Sequence, residues 1–332
     1  MSTATQSKRP RIALTIGDPS GIGPELVAKL MSESTNLAKA DVYVLASANE
    51  IEKAATEAKV SVSITREPSE TSFAVVGSEL ADQPIERGVA SLAGGQRAKA
   101  DLLAALAMYK RGEVDAIMFA PLNKSALHQA GMNEEDELRW FAKELAFEGT
   151  TSELNFAKGL TTSRVTSHVS LKEVADLINA RSVFAAIELL NDVVKGSGID
   201  SPRLAVCALN PHAGENGQFG REEIDHIAPG IEIAQNRGIN ATGPYPCDTV
   251  FIAARDGDFD GVVTMYHDQG QIAMKLMGFD QGVTVQGGLP VPIGTPAHGT
   301  AYGIVGQGIA HTGPTQNAFD LVVSLGQRTK HN

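Results

Sequence analysis

The chain has 332 residues, 42% of them hydrophobic and 20% charged, which is ordinary for a soluble globular protein with a sizeable core. Its net charge of −11 argues against a nucleic-acid partner, because phosphate backbones select basic surfaces. No run of 18 apolar residues suggests a membrane span, and Met1 to Arg11 is polar with no apolar core of a secretory signal, so a cytoplasmic protein with no membrane partner is expected.

Short β-rich runs alternate with helical patterns. Residues 11–16 read as a buried strand stopped by Gly17, and Pro24 opens a helix at its first turn. Residues 41–45 read as a strand and 50–58 as a helix. A longer helix over 89–111 precedes a strand at 115–119. Strands are expected again at 203–208 and 261–264, and helices at 171–178, 183–194 and 318–325. This alternation predicts an α/β fold with a largely parallel sheet. Cys207 and Cys247 lack CxxC spacing and are expected to be small core residues.

In such sheets ligands sit beyond the carboxyl ends of the strands, and the unusual loops of this chain follow predicted strands. The first loop, residues 17–25 (GDPSGIGPE), contains Asp18 and is compatible with an anion-binding turn or a tight structural one. The second, 120–124 (APLNK), presents Lys124 to an anionic substrate or leaves it on a solvated rim. Three further loops carry His168, His212 and His267. Each alone reads as a hydrogen-bonded loop residue, but three at equivalent strand ends suit a catalytic divalent ion with an open position. Asp268 and Glu215 are placed to orient ligand rings. The Gly-rich run 296–308 contains His298, which can stack on or bond to a nucleotide base, or the run is a helix-capping turn.

Taken together the loops resemble the 4-hydroxythreonine-4-phosphate dehydrogenase family. The matching stretches are GDPSGIGPEL at 17–26, APLNK at 120–124, TSHVSL at 166–171, NPHAGENGQFGREE at 210–223, DT at 248–249, YHDQGQIAMK at 266–275, GLP at 288–290 and HGTA at 298–301. The resemblance implies a two-domain isocitrate/isopropylmalate-dehydrogenase-like fold. The domains expected are 1–130 plus 290–332, carrying the cofactor loop, and 131–289, carrying the metal ligands. It also implies a homodimer with a shared active site and a divalent metal (zinc, cobalt, manganese or magnesium) held by His168, His212 and His267 from both subunits. NAD would use His298, Gly299, Thr300 and Ala301, which look like the superfamily's adenosine-binding loop. The reaction implied is oxidation of a secondary alcohol β to a carboxylate, followed by decarboxylation. Lys275 matches a substrate-contacting lysine. Asp248 and Asp268 are candidates for ligand orientation or proton relay.

The substrate end departs from the family. Where relatives carry a Gly-His-Thr-Glu run gripping the substrate phosphate, this chain has Asp136, Glu137, Leu138 and Arg139. A family Asn falls on Thr284 and a family Arg on Ile293. Glu137, Leu138, Arg139, Thr284 and Ile293 are therefore expected around the substrate together with Asp18 and Lys124. An unphosphorylated β-hydroxy acid is favoured, or an aromatic cis-dihydrodiol carboxylate like that of the related terephthalate dihydrodiol enzyme. The alternative is 4-phosphohydroxythreonine or a related 4-phospho-sugar acid, as in pyridoxal phosphate biosynthesis. Rivals from other classes are a metal hydrolase, which would not need the HGTA loop, and a phosphate acyltransferase, which would not need the histidines.

Overall fold

A parallel strand cannot be reached by a hairpin, so each strand of a parallel sheet is followed by a crossover, usually a helix. The computed structural model describes residues 9–78, 80–81, 83–278 and 281–329, and its parallel strands follow that rule; the polar opening at residues 1–8 lies outside the described residues. The chain begins with β1 (Arg11–Thr15), α1 (Gly23–Ser32), α2 (Ser34–Lys39), β2 (Asp41–Leu45), α3 (Ala48–Ala58), β3 (Ile64–Thr65) and β4 (Phe73–Val76). It continues through α4 (Leu92–Lys110), β5 (Ala116–Phe119), α5 (Lys124–Gln129), α6 (Glu137–Glu144), β6 (Ser152–Ala157), β7 (Leu160–Arg164), α7 (Val174–Leu177) and α8 (Ala180–Gly196). Then follow β8 (Leu204–Cys207), α9 (Ala228–Asn236), β9 (Ala241–Tyr245), α10 (Cys247–Arg255), β10 (Gly261–Thr264), α11 (His267–Gly278), β11 (Val283–Gly287), β12 (Ile293–Pro296) and α12 (Gly313–Gln327). Among the described residues, no helix is long and apolar enough to cross a membrane.

Two compact units form, one from residues up to Phe147 plus Pro290 onward, the other from Glu148–Leu289. In the first unit the strand order is β3-β4-β2-β1-β5-β12, every neighbour parallel. The first boundary differs from the expected 130/131. The reason is α6, whose Trp140 and Phe141 are buried, with Phe141 5.9 Å from Phe119 of β5, so this segment belongs to the first core.

In the second unit the order is β11-β6-β7-β10-β8-β9. β7, β10, β8 and β9 run parallel, whereas β6 is antiparallel to both β7 and β11. Alternation along the strands divides the core between two faces. Leu204, Val206 and Val263 join Ile187, Leu190 and Ile231 of α8 and α9. Ala205, Cys207 and Val262 face α10 and α11 instead, where Val250, Ala254 and Met274 pack. Cys207 is buried there as expected, and Cys247 packs partly buried against the same cluster.

One charged network lies inside the first unit. Arg97 of α4 is fully buried, donating from Nε to Asp101 at 2.9 Å and from both terminal nitrogens to Glu50 at 2.9 and 3.0 Å. Burial pushes the Asp101 carboxyl up to about 6, against the pull of Arg97. A carboxyl raised above its ordinary 3.8 favours folding below 3.8 and loses that contribution as pH rises through about 6. Arg97→Met is expected to cost about 3–5 kcal/mol by stranding two carboxylates. The loss should be smaller at pH 5 than at pH 8, because Asp101 can then take a proton. Urea unfolding at both pH values checks this, and a loss below about 1 kcal/mol at pH 8 would contradict it.

Candidate active site

The loops of the first unit follow the adjacent strands β1, β5 and β12, and they are knitted together. Asp18 N–H donates to Pro121 O at 2.9 Å, and Ile22 N–H donates to Thr300 O at 3.0 Å. Gly21 is required by this approach, since a Cβ there would lie 2.8 Å from Thr300. Asp18 is 1% exposed. Its carboxylate accepts from Ser20 N–H at 2.9 Å and from the Tyr302 hydroxyl at 2.5 Å. Burial and the Asp18 charge hold the Tyr302 phenol protonated, well above its usual range. Asp18, expected to meet substrate, thus fastens the first loop to the last. Tyr302 was not singled out from sequence; its signal was its position directly after HGTA.

His298 and Gly299 lie on the outer side of that closure, with Thr300 buried and Ala301 in a left-handed conformation at φ 43. His298 Nδ1 donates to Gly299 O at 3.2 Å, which leaves Nε2 as an acceptor, buried and without a partner. Burial, with a smaller effect from His311, lowers the His298 pKa, so the ring is neutral at pH 7. An orphaned acceptor beside an open glycine suits an amino group of a nucleotide base.

Lys124 is exposed as the first residue of α5, whose N-cap is Asn123. Lys124 and Glu137 line one shallow depression with Glu134, Glu135 and Asp136. Asp136 caps α6 by accepting from Arg139 N–H at 2.8 Å. Arg139 is exposed. Leu138 is 2% exposed and Ile293 fully buried, so neither offers an atom to a ligand in the single chain, and as substrate contacts they are corrected to core residues.

In the second unit His168, His267 and His212 follow β7, β10 and β8, three adjacent parallel strands, and Asp248 follows β9. His267 is the first residue of α11 rather than a loop residue. The His168 and His267 rings stand with centroids 5.7 Å apart. Thr166 secures the pair, donating from N and Oγ1 to Met265 O at 3.1 and 2.8 Å. Gln269 ties the β10 exit to the β8 exit, accepting from Met265 N–H at 2.7 Å and donating to Ala208 O at 2.8 Å. Asp268 Oδ1 lies 2.7 Å from His267 Nδ1, which fixes that ring and frees Nε2. His212, Asp248 and Asp268 line one cavity of about 580 Å³. His212 and His267 belong to no group of three candidate ligand atoms within 4.8 Å of one another among the described residues. Lys275 is exposed in the last turn of α11, and Thr284 Oγ1 bonds Asn155 Oδ1 at 3.4 Å across β11 and β6.

Each of the two α/β units carries polar clusters at the carboxyl ends of its strands, and the chain's relatives say to which family that arrangement belongs. The profile described as pyridoxal phosphate biosynthetic protein PdxA matches residues 35–322. The chain belongs to this PdxA family and is a dehydrogenase. A Pseudomonas aeruginosa protein, provisionally named 4-hydroxythreonine-4-phosphate dehydrogenase 2, is 47% identical over 96% of this chain and 97% of its own length. The structure of a 4-hydroxythreonine-4-phosphate dehydrogenase from Burkholderia phymatum is 34% identical with TM-score 0.80, covering 95% of this chain and 98% of that one. A terephthalate 1,2-cis-dihydrodiol dehydrogenase structure from Burkholderia xenovorans is 28% identical with TM-score 0.72, covering 95% and 98%.

Removing the Tyr302 hydroxyl leaves the buried Asp18 oxygen unpaired. Tyr302→Phe is therefore expected to destabilise the protein by about 1–3 kcal/mol. Chemical denaturation measures it, and an unchanged midpoint would show that Asp18 does not depend on the phenol.

Proposed function

We propose that this chain is an NAD-dependent, divalent-metal-dependent dehydrogenase that oxidises a secondary alcohol β to a carboxylate, with decarboxylation, and works as a homodimer. The observation that carries this reading is the row of three histidines at the ends of adjacent parallel strands, two of them with neighbouring rings. Imidazole nitrogens suit a catalytic divalent ion. His168, His212 and His267 would hold it, and the two-plus-one arrangement within one chain supports a centre completed by a second copy. Leu276 and Ile272, 84% and 61% exposed on α11, supply an apolar face for that copy. When bound, the ion supplies Lewis acidity and NAD accepts hydride.

The remaining roles belong to side chains of this chain. Asp268 orients the His267 ring. Lys275 and Lys124 meet the anionic groups of the substrate, and Asp248 or Asp268 carries the hydroxyl proton. His298 offers its free Nε2 to the base of NAD, and Gly299, Thr300 and Ala301 let the nucleotide lie against the backbone.

The substrate favoured is unphosphorylated. Four carboxylates in succession, Glu134 to Glu137, line the depression shared with Lys124, and Asp136 already occupies the N-cap of α6, accepting from Arg139 N–H. A phosphate carrying about −2 charge gains nothing from such a surface. The names of the relatives favour a second reading, a phosphorylated hydroxy acid. Losing two charge-assisted bonds cuts kcat/KM for a phosphorylated acid by roughly 10²–10⁴-fold. Steady-state NADH formation with added divalent metal is expected to be faster with an unphosphorylated β-hydroxy acid or a cis-dihydrodiol carboxylate than with 4-phosphohydroxythreonine. Efficient turnover of the phosphorylated compound overturns that reading, and Arg139→Ala should then abolish it. NAD is expected over NADP, since residues 296–308 contain no Arg or Lys for a 2′-phosphate. Equal kcat/KM for both cofactors would count against it.

A further inference from the structure

Residues 212–216 form a left-handed turn, with φ of 54 at His212, 53 at Ala213, 78 at Gly214, 44 at Glu215 and 56 at Asn216. A residue with a Cβ is crowded in this region, so four of them around one glycine do not persist without outside support. The turn is bonded internally as a short 3-10 helix over Pro211–Gly217, and it is closed by Gln218 N–H to Glu215 O at 3.2 Å and Phe219 N–H to Gly214 O at 3.1 Å.

Side-chain support comes from one buried residue. Glu223 is 3% exposed and opens the π-helical turn Glu223–Ile227 that leads into α9. Its Oε1 accepts from Leu209 N–H at 2.9 Å and Asn210 N–H at 2.7 Å, and its Oε2 accepts from Asn210 Nδ2 at 3.0 Å. These donors lie just before Pro211 and His212. Farther along the turn, Gly214 passes so close that a Cβ there would lie 2.6 Å from Oε2. The carboxylate is bonded to the start of the turn and fills its inside.

We propose that Glu223 is a positioning residue that holds His212 in the direction needed to bind the divalent ion. The proposal rests on His212 being a ligand, as read above. Charge and valence both matter. Three donors meet two oxygens, whereas glutamine has one oxygen and would turn its NH₂ toward Asn210 Nδ2. Asn210 cannot simply flip, because the same Nδ2 also donates to Glu222 Oε2 at 2.6 Å.

The test is a Co²⁺ titration of the full-length protein, read by visible absorption, with Glu223→Gln and His212→Ala beside the natural chain. Glu223→Gln is expected to weaken Co²⁺ binding by roughly 10–100-fold. NAD affinity should stay unchanged, and kcat should recover when Co²⁺ is raised. Ala213→Gly lowers the cost of left-handed backbone, so adding it to Glu223→Gln should restore about tenfold in affinity. Wild-type Co²⁺ affinity in folded Glu223→Gln overturns the proposal, as does a loss that Ala213→Gly leaves unrepaired. If His212→Ala also keeps full affinity, the ligand reading fails; if only His212→Ala loses it, positioning by Glu223 fails alone. Should Glu223→Gln not fold, Glu223→Asp enters the same titration. It keeps the charge but withdraws the oxygens by one methylene, and wild-type affinity there overturns the proposal equally.

Discussion

A parallel pair of strands must be joined by a crossover that returns the chain to the same starting edge, so neighbouring strands in a parallel row release their loops on one side. In the second unit this puts the residues after β7, β10, β8 and β9 side by side, although His168 and His267 are 99 positions apart in the chain. The first unit applies the same constraint to β1, β5 and β12. What then separates a row of loops from a site is cross-linking at the strand exits. Gln269 bridges two exits in the second unit, and Asp18 with Tyr302 bridges two loops in the first. Each bridge fixes residues of the candidate site on either side of it.

These loops are costly pieces of structure. Four non-glycine residues in a left-handed turn, at about 1–2 kcal/mol each, amount to a strain comparable with the whole net stability of a domain. A conformation of that energy survives only where its surroundings hold it, and the Glu223 carboxylate supplies three bonds at the residues leading into it. Burial of Asp18 presents a similar problem, met by a phenol and a backbone N–H. The hydrophobic faces of α8 to α11 are where the offsetting stability resides, and there the side chains follow plain alternation.

That division explains what was legible in the sequence. β1, β2, β5, β8 and β10 are short apolar runs between turn signals, and all were readable to within a residue or so at each end. β6 (SELNFA) has no clean alternation, and its antiparallel pairing with β7 and β11 depends on partners distant in sequence. No composition shift marks the end of the first unit at Phe147, because α6 joins that unit through the contacts of Trp140 and Phe141 rather than through any local signal. Among site residues, those with distinctive chemistry, the histidines and HGTA, stood out. Tyr302 and Glu223 did not, because their importance lies in which buried atoms they reach. A glutamate within GREE looks from sequence like any solvated acid.

The same contrast separates the positions that can vary from those that cannot. The loops after β1, β5 and β12 contact one another through backbone atoms, and the histidine loops are fixed by Gln269 and Glu223, so substitutions there disturb geometry as well as chemistry. The start of α6 is different. An N-cap needs only an acceptor at one position, filled here by Asp136, and the next residues project from a turn whose backbone does not depend on their identity. Glu137 is outside the packing that anchors this helix, whereas Leu138, Trp140 and Phe141 behind it hold the helix to the core. The acidic run Glu134 to Glu137 therefore sits where single side chains can change while the strand-end loops keep their bonds. Single-residue change is physically cheapest at that helix start.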